Sequence, residues 1–157
     1  PDIYGSISSS LKFRGFDLGL LFTYSLGGKI YDSIYNALME PSFVGQTYHR
    51  NALRTWTAPG QRTDVPRTTT TASTQITDRY LIDASYFAVK NISLGYSLPK
   101  QLLGKVGIES LRVYLAADSP WIFTHLKGMN PQASFTGSTS YSYTPNRTFT
   151  LGVDLKF

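Results

Sequence analysis

Apolar and polar residues alternate along the last part of the chain. The odd positions from Phe149 to Phe157 are apolar, whereas Thr150, Gly152, Asp154 and Lys156 between them are small, polar or charged. A period of two residues is that of a β-strand with one apolar and one polar face. The pattern therefore predicts a strand over residues 147–157 that ends on an aromatic side chain.

Four further segments show the same alternation, at residues 5–13, 16–26, 86–98 and 108–117. Arg14-Gly15 separates the first two, and a tight turn there predicts a β-hairpin. In the third segment the apolar positions change from odd numbers to even numbers near Lys90-Asn91, which predicts a β-bulge. Pro99 to Lys105 fits a single helical turn that Gly104 or Gly107 ends.

The connections between these segments alternate in length. Short turns follow the first and third strands, and long segments at 27–85 and 118–146 follow the second and fourth. In an antiparallel sheet both long segments then leave at the same end, as the extracellular loops of outer-membrane β-barrels do. Strands of about ten residues, tilted by about 45°, rise about 23 Å, close to the apolar band of about 25 Å in such barrels.

Five strands are too few to close a membrane barrel. The smallest such barrels have about eight strands, and an open sheet edge in lipid leaves backbone groups without hydrogen bonds. The predicted fold class is therefore all-β: a segment of a larger antiparallel transmembrane β-barrel, with long extracellular loops and short periplasmic turns.

Composition removes several classes of function. The chain has no cysteine, so disulfides, thiol nucleophiles and cysteine-based metal sites are excluded. Its net charge of +5 comes from scattered basic residues rather than from a cluster, which argues against nucleic-acid binding. Eleven tyrosines and nine phenylalanines beside few charges favour half-buried sheet.

Candidate catalytic and metal-binding residues are few. His49 and His125 are the only histidines, and they lie in different predicted loops without a recognised ligand spacing. No catalytic residue, metal site or cofactor is therefore predicted. Two alternatives stay open at this point: a soluble β-sandwich or lipocalin-like ligand-binding module, and a small β-rich hydrolase that uses His125 and Asp118.

Three strings of residues carry a family resemblance, and they lie at Asp83 to Pro99 (DASYFAVKNISLGYSLP), at Leu111 to Tyr114 (LRVY) and at Pro145 to Phe157 (PNRTFTLGVDLKF). Each closely resembles a signature near the C-terminus of SusC/RagA-type TonB-dependent transporters. Upstream elements such as Gly15-Phe16-Asp17-Leu18 resemble the same family in the expected order. The resemblance covers essentially the whole chain.

The resemblance implies an outer-membrane protein of a Gram-negative, Bacteroidota-type bacterium. It implies about the last five strands of a 22-stranded barrel, while the plug and the part that contacts the TonB complex lie outside this chain. It further implies import of oligosaccharides or peptides together with a SusD-like surface lipoprotein that acts as a lid. Phe157 would then be the signal that the barrel assembly machinery reads.

Two groups of side chains are candidates for function. Exposed aromatic residues on loops stack well on sugars, and loops on a rigid scaffold often carry binding residues. We therefore expect possible ligand or lid contacts in the two long loops, at Tyr48, Trp56, Trp121 and Phe123. The polar faces of the strands should line the barrel lumen, and the residues expected to face the lumen or plug are Asp17, Arg112 and Tyr114.

Overall fold

A computed structural model of the chain describes residues 1–40, 45–67, 77–103, 107–126, 128–133, 136–141 and 143–157. Seven strands occur in this described part: β1 (Ile3–Phe13), β2 (Phe16–Leu26), β3 (Lys29–Tyr31), β4 (Leu81–Asp83), β5 (Tyr86–Ser97), β6 (Ser110–Thr124) and β7 (Thr148–Lys156). Its helical segments are α1 (Ser33–Met39), α2 (Lys100–Leu103) and 3-10 turns at Arg50–Arg54, Asp78–Tyr80 and Pro131–Ala133. Within these ranges no helix has the length and hydropathy to cross a membrane.

The chain divides into two compact units. The larger comprises Pro1–Gly28, Ala84–Pro131 and Tyr143–Phe157, and the smaller comprises Lys29–Asp83 and Gln132–Ser142. The larger unit is one antiparallel sheet with the strand order β1-β2-β5-β6-β7. Its outer strands β1 and β7 each pair on one side only, so the sheet is not closed into a barrel within the described residues.

One face of this sheet is apolar across all five strands. The register places Phe13, Phe16 and Tyr96 opposite one another at the short-turn end. A second cross-strand row, nearer the long connections, contains Tyr24, Phe87 and Phe123. No second layer covers Leu115 or Leu151, which are 55% and 72% exposed. The apolar face is therefore a continuous exposed surface in this part of the chain.

The other face carries mostly small and polar residues. On β1 these are serines and a lysine, and on β7 they are threonines, a glycine, Asp154 and Lys156. Because directly opposed residues in antiparallel strands share a face, the register brings Lys12, Asp17 and Gly95 into one polar row. The sheet is thus a single layer with an apolar side and a polar side, as the alternation predicts.

Two extra residues keep the apolar side continuous past the middle of the sheet. Lys90 has no partner in the register between β2 and β5, which confirms the bulge predicted near Lys90-Asn91. Against β5, strand β6 then carries Ser119 and Pro120 opposite that one residue. Because β6 has one residue more than β5 at this point, its apolar residues stay at odd-numbered positions. Trp121 and Phe123 therefore lie on the same apolar face as Leu115 and Ala117.

The predicted end of the fourth strand at residue 117 is wrong. Strand β6 continues to Thr124, so Trp121 and Phe123 lie on a strand and not on a loop. Asp118-Ser119-Pro120 has the composition of a turn, but Ser119 has a φ of 50° and Pro120 is fully buried, so the segment is a bulge inside the strand. On the other side of β6, Phe149 of β7 pairs with Ala117, so it does not belong to the cross-strand row that contains Tyr24 and Phe87.

The first long segment, predicted as loop from 27 to 85, contains folded structure. It begins with β3, which pairs with β4, and helix α1 follows with Asp32 as its N-cap. A strand of three residues and a helix of seven are too short to show a periodic pattern. The predicted helical turn after Pro99 is α2, whereas Gly104 and Lys105 lie outside the described residues.

The smaller unit has its own core. Met39, Val65 and Tyr80 are buried together, and Tyr31, Tyr35 and Ala52 pack against them. The rings of Tyr31 and Tyr35 meet the ring of Tyr80 edge to face, with centroids 6.0 and 5.9 Å apart. These contacts are typical of a folded aromatic core. The described residues of the long segment therefore form a folded subdomain.

Candidate functional site

The polar face of the sheet carries an ion-pair cluster that joins three strands. Arg112 on β6 donates two hydrogen bonds to Asp17 on β2, from Nε to Oδ1 at 3.0 Å and from Nη2 to Oδ2 at 2.6 Å. Its Nη1 donates to Asp154 Oδ2 on β7 at 3.2 Å. We call these three residues the Arg112 clasp. Three of the five guanidinium N–H groups thus donate to carboxylates, and the two carboxylates compensate the charge of Arg112.

A glycine makes the clasp possible. Strand β5 lies between β2 and β6, and Gly95 is the β5 residue opposite Asp17. A Cβ atom at Gly95 would stand 2.5 Å from Asp17 Oδ1 and 2.6 Å from Arg112 Nη2. Since no side chain could keep such contacts, the Arg112 side chain crosses β5 only because residue 95 is glycine.

Tyr114 stands next to the clasp and covers a second glycine. Its ring lies 5.0 Å from the guanidinium carbon of Arg112, and a Cβ at Gly152 on β7 would be 2.3 Å from the ring. Asp17, Arg112 and Tyr114 were the residues predicted from the sequence to share the polar face, and the structure brings them together. Whether this face lines a lumen or meets a plug stays a prediction.

A surface depression of about 490 Å³ lies beside the clasp at the short-turn end. It is lined by Lys12 to Asp17, Ser97 and Arg112, so two further cations, Lys12 and Arg14, stand at its edge. These side chains offer charge and hydrogen bonds but no nucleophile with an adjacent base. The arrangement therefore suits holding strands together or contacting a polar surface rather than catalysis.

The four aromatic residues predicted to contact ligand or lid do not form one group. Trp121 and Phe123 lie on the apolar face of β6, where the Phe123 ring is 6.3 Å from that of Phe87. Tyr48 and Trp56 belong to the smaller unit, in which Tyr48 is half-exposed and the Trp56 amide donates to the Val65 carbonyl at 3.0 Å. Only Tyr48 and Trp56 remain candidates for contacts made by a loop.

The smaller unit contains perturbed tyrosines. Burial raises the pKa of Tyr80 to about 12, and the hydrogen bond that its hydroxyl donates to Glu40 Oε1 at 3.0 Å acts in the same direction. The pKa of Tyr31 is raised as well, first by burial and then by the charge of Glu40. Both shifts favour neutral phenols in a packed core and give no catalytic base.

His49 makes structural contacts within the smaller unit. His49 Nδ1 accepts a hydrogen bond from the Asn51 amide at 3.1 Å, and its ring packs edge to face on Tyr35 at 5.0 Å. Asp118 Oδ1 accepts from Asn91 Nδ2 at 2.7 Å, rather than from His125. Across the described ranges, no group of three His, Cys, Asp or Glu side chains is placed to hold a metal ion.

Sequence reasoning missed two members of this site, Gly95 and Asp154. Gly95 interrupts an otherwise strong strand pattern, and an isolated glycine in a strand often marks a close approach of another group. Asp154 shares the parity of the other polar residues in the last strand, but only the register, which places it opposite Arg112, identifies the contact.

Comparison with known proteins gives consistent similarities. No family model matches the chain. The chain is 32% identical over its whole length to TonB-dependent receptor P3 of Formosa agariphila, of which it covers 16%. It is 26% identical to TonB-dependent receptor SusC of Bacteroides thetaiotaomicron, with 99% of the chain and 15% of that protein aligned. The chain thus spans about a sixth of the length of these curated relatives.

Solved structures give the same result. A structure of the RagAB peptide importer in the closed-closed state superposes with a TM-score of 0.82 at 27% identity. The match covers 98% of the chain and 17% of that protein's chain. The open-open state of the RagAB peptide importer matches with a TM-score of 0.78 at 28% identity. Sequence and fold are therefore similar to the same group of proteins.

Proposed function

Because the chain belongs to the SusC/RagA-type TonB-dependent transporters, we propose that it forms part of the wall of an outer-membrane β-barrel that imports nutrients. The proposal rests above all on the two-sided sheet. An exposed apolar face that spans five strands suits contact with lipid acyl chains, and a polar opposite face suits a water-filled or plugged interior. The role of this segment is structural support of transport, and no residue is assigned to catalysis.

The unpaired edges of the sheet support the same proposal. Strands β1 and β7 each expose one row of backbone amide and carbonyl groups in the described chain. Such groups cannot remain without hydrogen bonds inside a bilayer. We therefore place this sheet in a larger barrel in which both edge strands find further strands as partners.

The finer assignment concerns cargo, partner and energy source. We propose that the intact protein imports oligosaccharides or peptides, that a SusD-like lipoprotein covers its outer mouth, and that a TonB complex drives transport. The long β2–β5 and β6–β7 connections leave the sheet at one end. This end would face the cell exterior, so Tyr48 and Trp56 in the β2–β5 connection are the proposed contacts to cargo or lid.

Uptake measurements test the functional proposal. Cells that carry the intact gene, cells that lack it, and lacking cells complemented with the wild-type gene would receive fluorescent oligosaccharides and oligopeptides in separate assays. We expect the deletion or a protonophore to lower uptake of one cargo class, and complementation to restore it. Equal uptake of both cargo classes in all strains would contradict the proposal.

A co-purification experiment tests the partner. An affinity tag on the intact protein, solubilised from outer membranes in mild detergent, should retain a surface lipoprotein in near-equal amount. A matched preparation in which the residues of the β2–β5 connection are shortened to a tight turn should lose that lipoprotein while the barrel still assembles. Recovery of the transporter alone from wild-type membranes would contradict the proposed lid.

A further inference from the structure

The second long connection is joined to the first by a short strap. Residues 136–141, which we call the strap, belong to the β6–β7 connection and lie in the smaller unit together with the β2–β5 connection. The Tyr31 amide donates to the Gly137 carbonyl at 2.8 Å, and the Thr139 amide donates to the Tyr31 carbonyl at 2.9 Å. Ser138 thereby forms an isolated parallel bridge with Tyr31, the last residue of β3.

Side chains reinforce this backbone pairing at the start of helix α1. Thr139 Oγ1 donates to Asp32 Oδ1 at 3.2 Å, and that same oxygen accepts the Tyr35 amide at 2.9 Å as the N-cap of the helix. The Ser33 hydroxyl donates to the Thr139 carbonyl. Because Asp32 is only 6% exposed, its carboxylate depends on these donors rather than on water.

The strap is also connected to the aromatic core of the smaller unit. Tyr31 provides both backbone bonds of the bridge, while its ring packs on Tyr80 and its hydroxyl accepts from Asn36 Nδ2 at 2.7 Å. At the far end of α1, Glu40 accepts the hydroxyl of that same Tyr80. A displacement of the strap therefore acts on the N-cap of α1 and on the core beneath it.

We propose that the strap makes the two long connections one mechanical body, so that they order, loosen and move together. Asp32 links the two connections, because one of its carboxylate oxygens accepts hydrogen bonds from both the Tyr35 amide of α1 and the Thr139 hydroxyl of the strap. A consequence, which rests on the proposed function, is that a cargo or lid that contacts either connection also displaces the other. The coupling itself needs no transport to be observed.

Hydrogen–deuterium exchange of the intact protein tests this coupling. Thr139→Val keeps the branched shape and the backbone bonds but removes the hydroxyl that donates to Asp32 and accepts from the Ile34 amide. The Ile34 amide donates to this hydroxyl directly and is therefore left out of the readout. We expect exchange at Tyr35 and Asn36, whose amides donate to Asp32, to rise about fivefold, as the loss of one buried hydrogen bond implies. Ser140→Ala, at the next and exposed strap position, should leave these amides unchanged.

Two results would overturn the proposal. One is faster exchange confined to residues 136–141 with α1 unchanged, since the strap would then be an attached but uncoupled loop. The other is unchanged exchange everywhere. If Thr139→Val does not assemble, Ser33→Ala provides the reciprocal test, because it removes the bond to the Thr139 carbonyl from the α1 side, and exchange of the Thr139 amide in the strap should then rise. Uptake measured in parallel distinguishes loss of coupling from failure of the transport proposal.

Discussion

Arg112 reaches Asp17 only because the strand between them carries glycine at position 95. The guanidinium crosses β5 at a point where a Cβ would touch both partners of the ion pair. An exposed ion pair contributes little to stability. The pair between Arg112 and Asp17 is bidentate, and its side chains are only 32% and 24% exposed. Arg112 also forms an ion pair with Asp154. The clasp is therefore a specific junction of β2, β6 and β7.

Substitution of Gly95 should break this junction. We expect Gly95→Ala to lower the unfolding free energy of the intact protein, because a Cβ at this position forces the bidentate pair to open. The same change combined with Asp17→Asn should cost little more than either change alone. Urea unfolding of the folded barrel provides the measurement.

A second glycine on the same face is the control for this prediction. A Cβ at Gly19 would meet only the hydroxyl of Ser93, which rotates away at little cost. Gly19→Ala should therefore be close to neutral. Equal destabilisation by Gly95→Ala and Gly19→Ala, or full additivity with Asp17→Asn, would refute the clasp.

Tyr80 gives a residue-scale prediction in the smaller unit. Because its pKa is raised from 10 to about 12, the neutral phenol stabilises the fold. That stabilisation should be complete below pH 10 and disappear as the pH rises through about 12. Protection of α1 amides, after correction for base-catalysed intrinsic exchange, should fall over this window in the wild-type protein.

The difference in tyrosinate absorbance between the wild type and Tyr80→Phe checks the same assignment. The midpoint of this difference titration should lie near pH 12. Glu40→Gln should lower the pKa of Tyr80, because the carboxylate that accepts its hydroxyl is lost. A midpoint at the ordinary tyrosine value in the wild type would mean that Tyr80 is not buried against Glu40.

Strands β5 and β6 illustrate what a sequence pattern predicts at the scale of an element. The alternation alone predicts β2 at residues 16–26 and the bulge near Lys90-Asn91, since one face of each strand is uniformly apolar. The alternation does not predict the part of β6 beyond residue 117, because Asp118-Ser119-Pro120 has the composition of a turn. Only the pairing with the neighbouring strand β5 shows that β6 continues. Register, not local composition, decides where β6 ends.

The bulge in β6 therefore controls which face Trp121 and Phe123 occupy. Deletion of Ser119 shifts both residues by one position, and a shift of one residue moves side chains to the opposite face of a sheet. We expect the deletion variant to lose most of its heat-modifiable, assembled form in the outer membrane.

Ser119→Gly is the matched variant. Glycine adopts a φ near 50° without a Cβ penalty, so this variant should assemble at the wild-type level. Normal assembly of the deletion variant, with unchanged accessibility of Trp121, would contradict the proposed function of the bulge.

At the scale of the molecule, the described residues form a two-sided sheet and a folded subdomain that belongs to its long connections. The sequence predicts the sheet because alternation persists over five strands, and it predicts that Asp17, Arg112 and Tyr114 lie on the polar face, whereas their mutual contacts come from the structure. It does not predict the subdomain, because Tyr31, Asp32 and Thr139 are brought together by contacts between residues about a hundred positions apart. Long-range pairing of short segments has no periodic signature.

The central claim is that the apolar face contacts lipid and the polar face contacts water or plug. Leu115 and Ala116 are adjacent residues of β6 on opposite faces, so each would be replaced by cysteine in an intact, otherwise cysteine-free protein and spin-labelled in bilayers. We expect the label at 115 to collide mainly with lipid-soluble oxygen, and the label at 116 to collide mainly with a water-soluble nickel complex or with neither. Equal accessibility to the nickel complex at both positions, or the reverse pattern, would contradict the central claim.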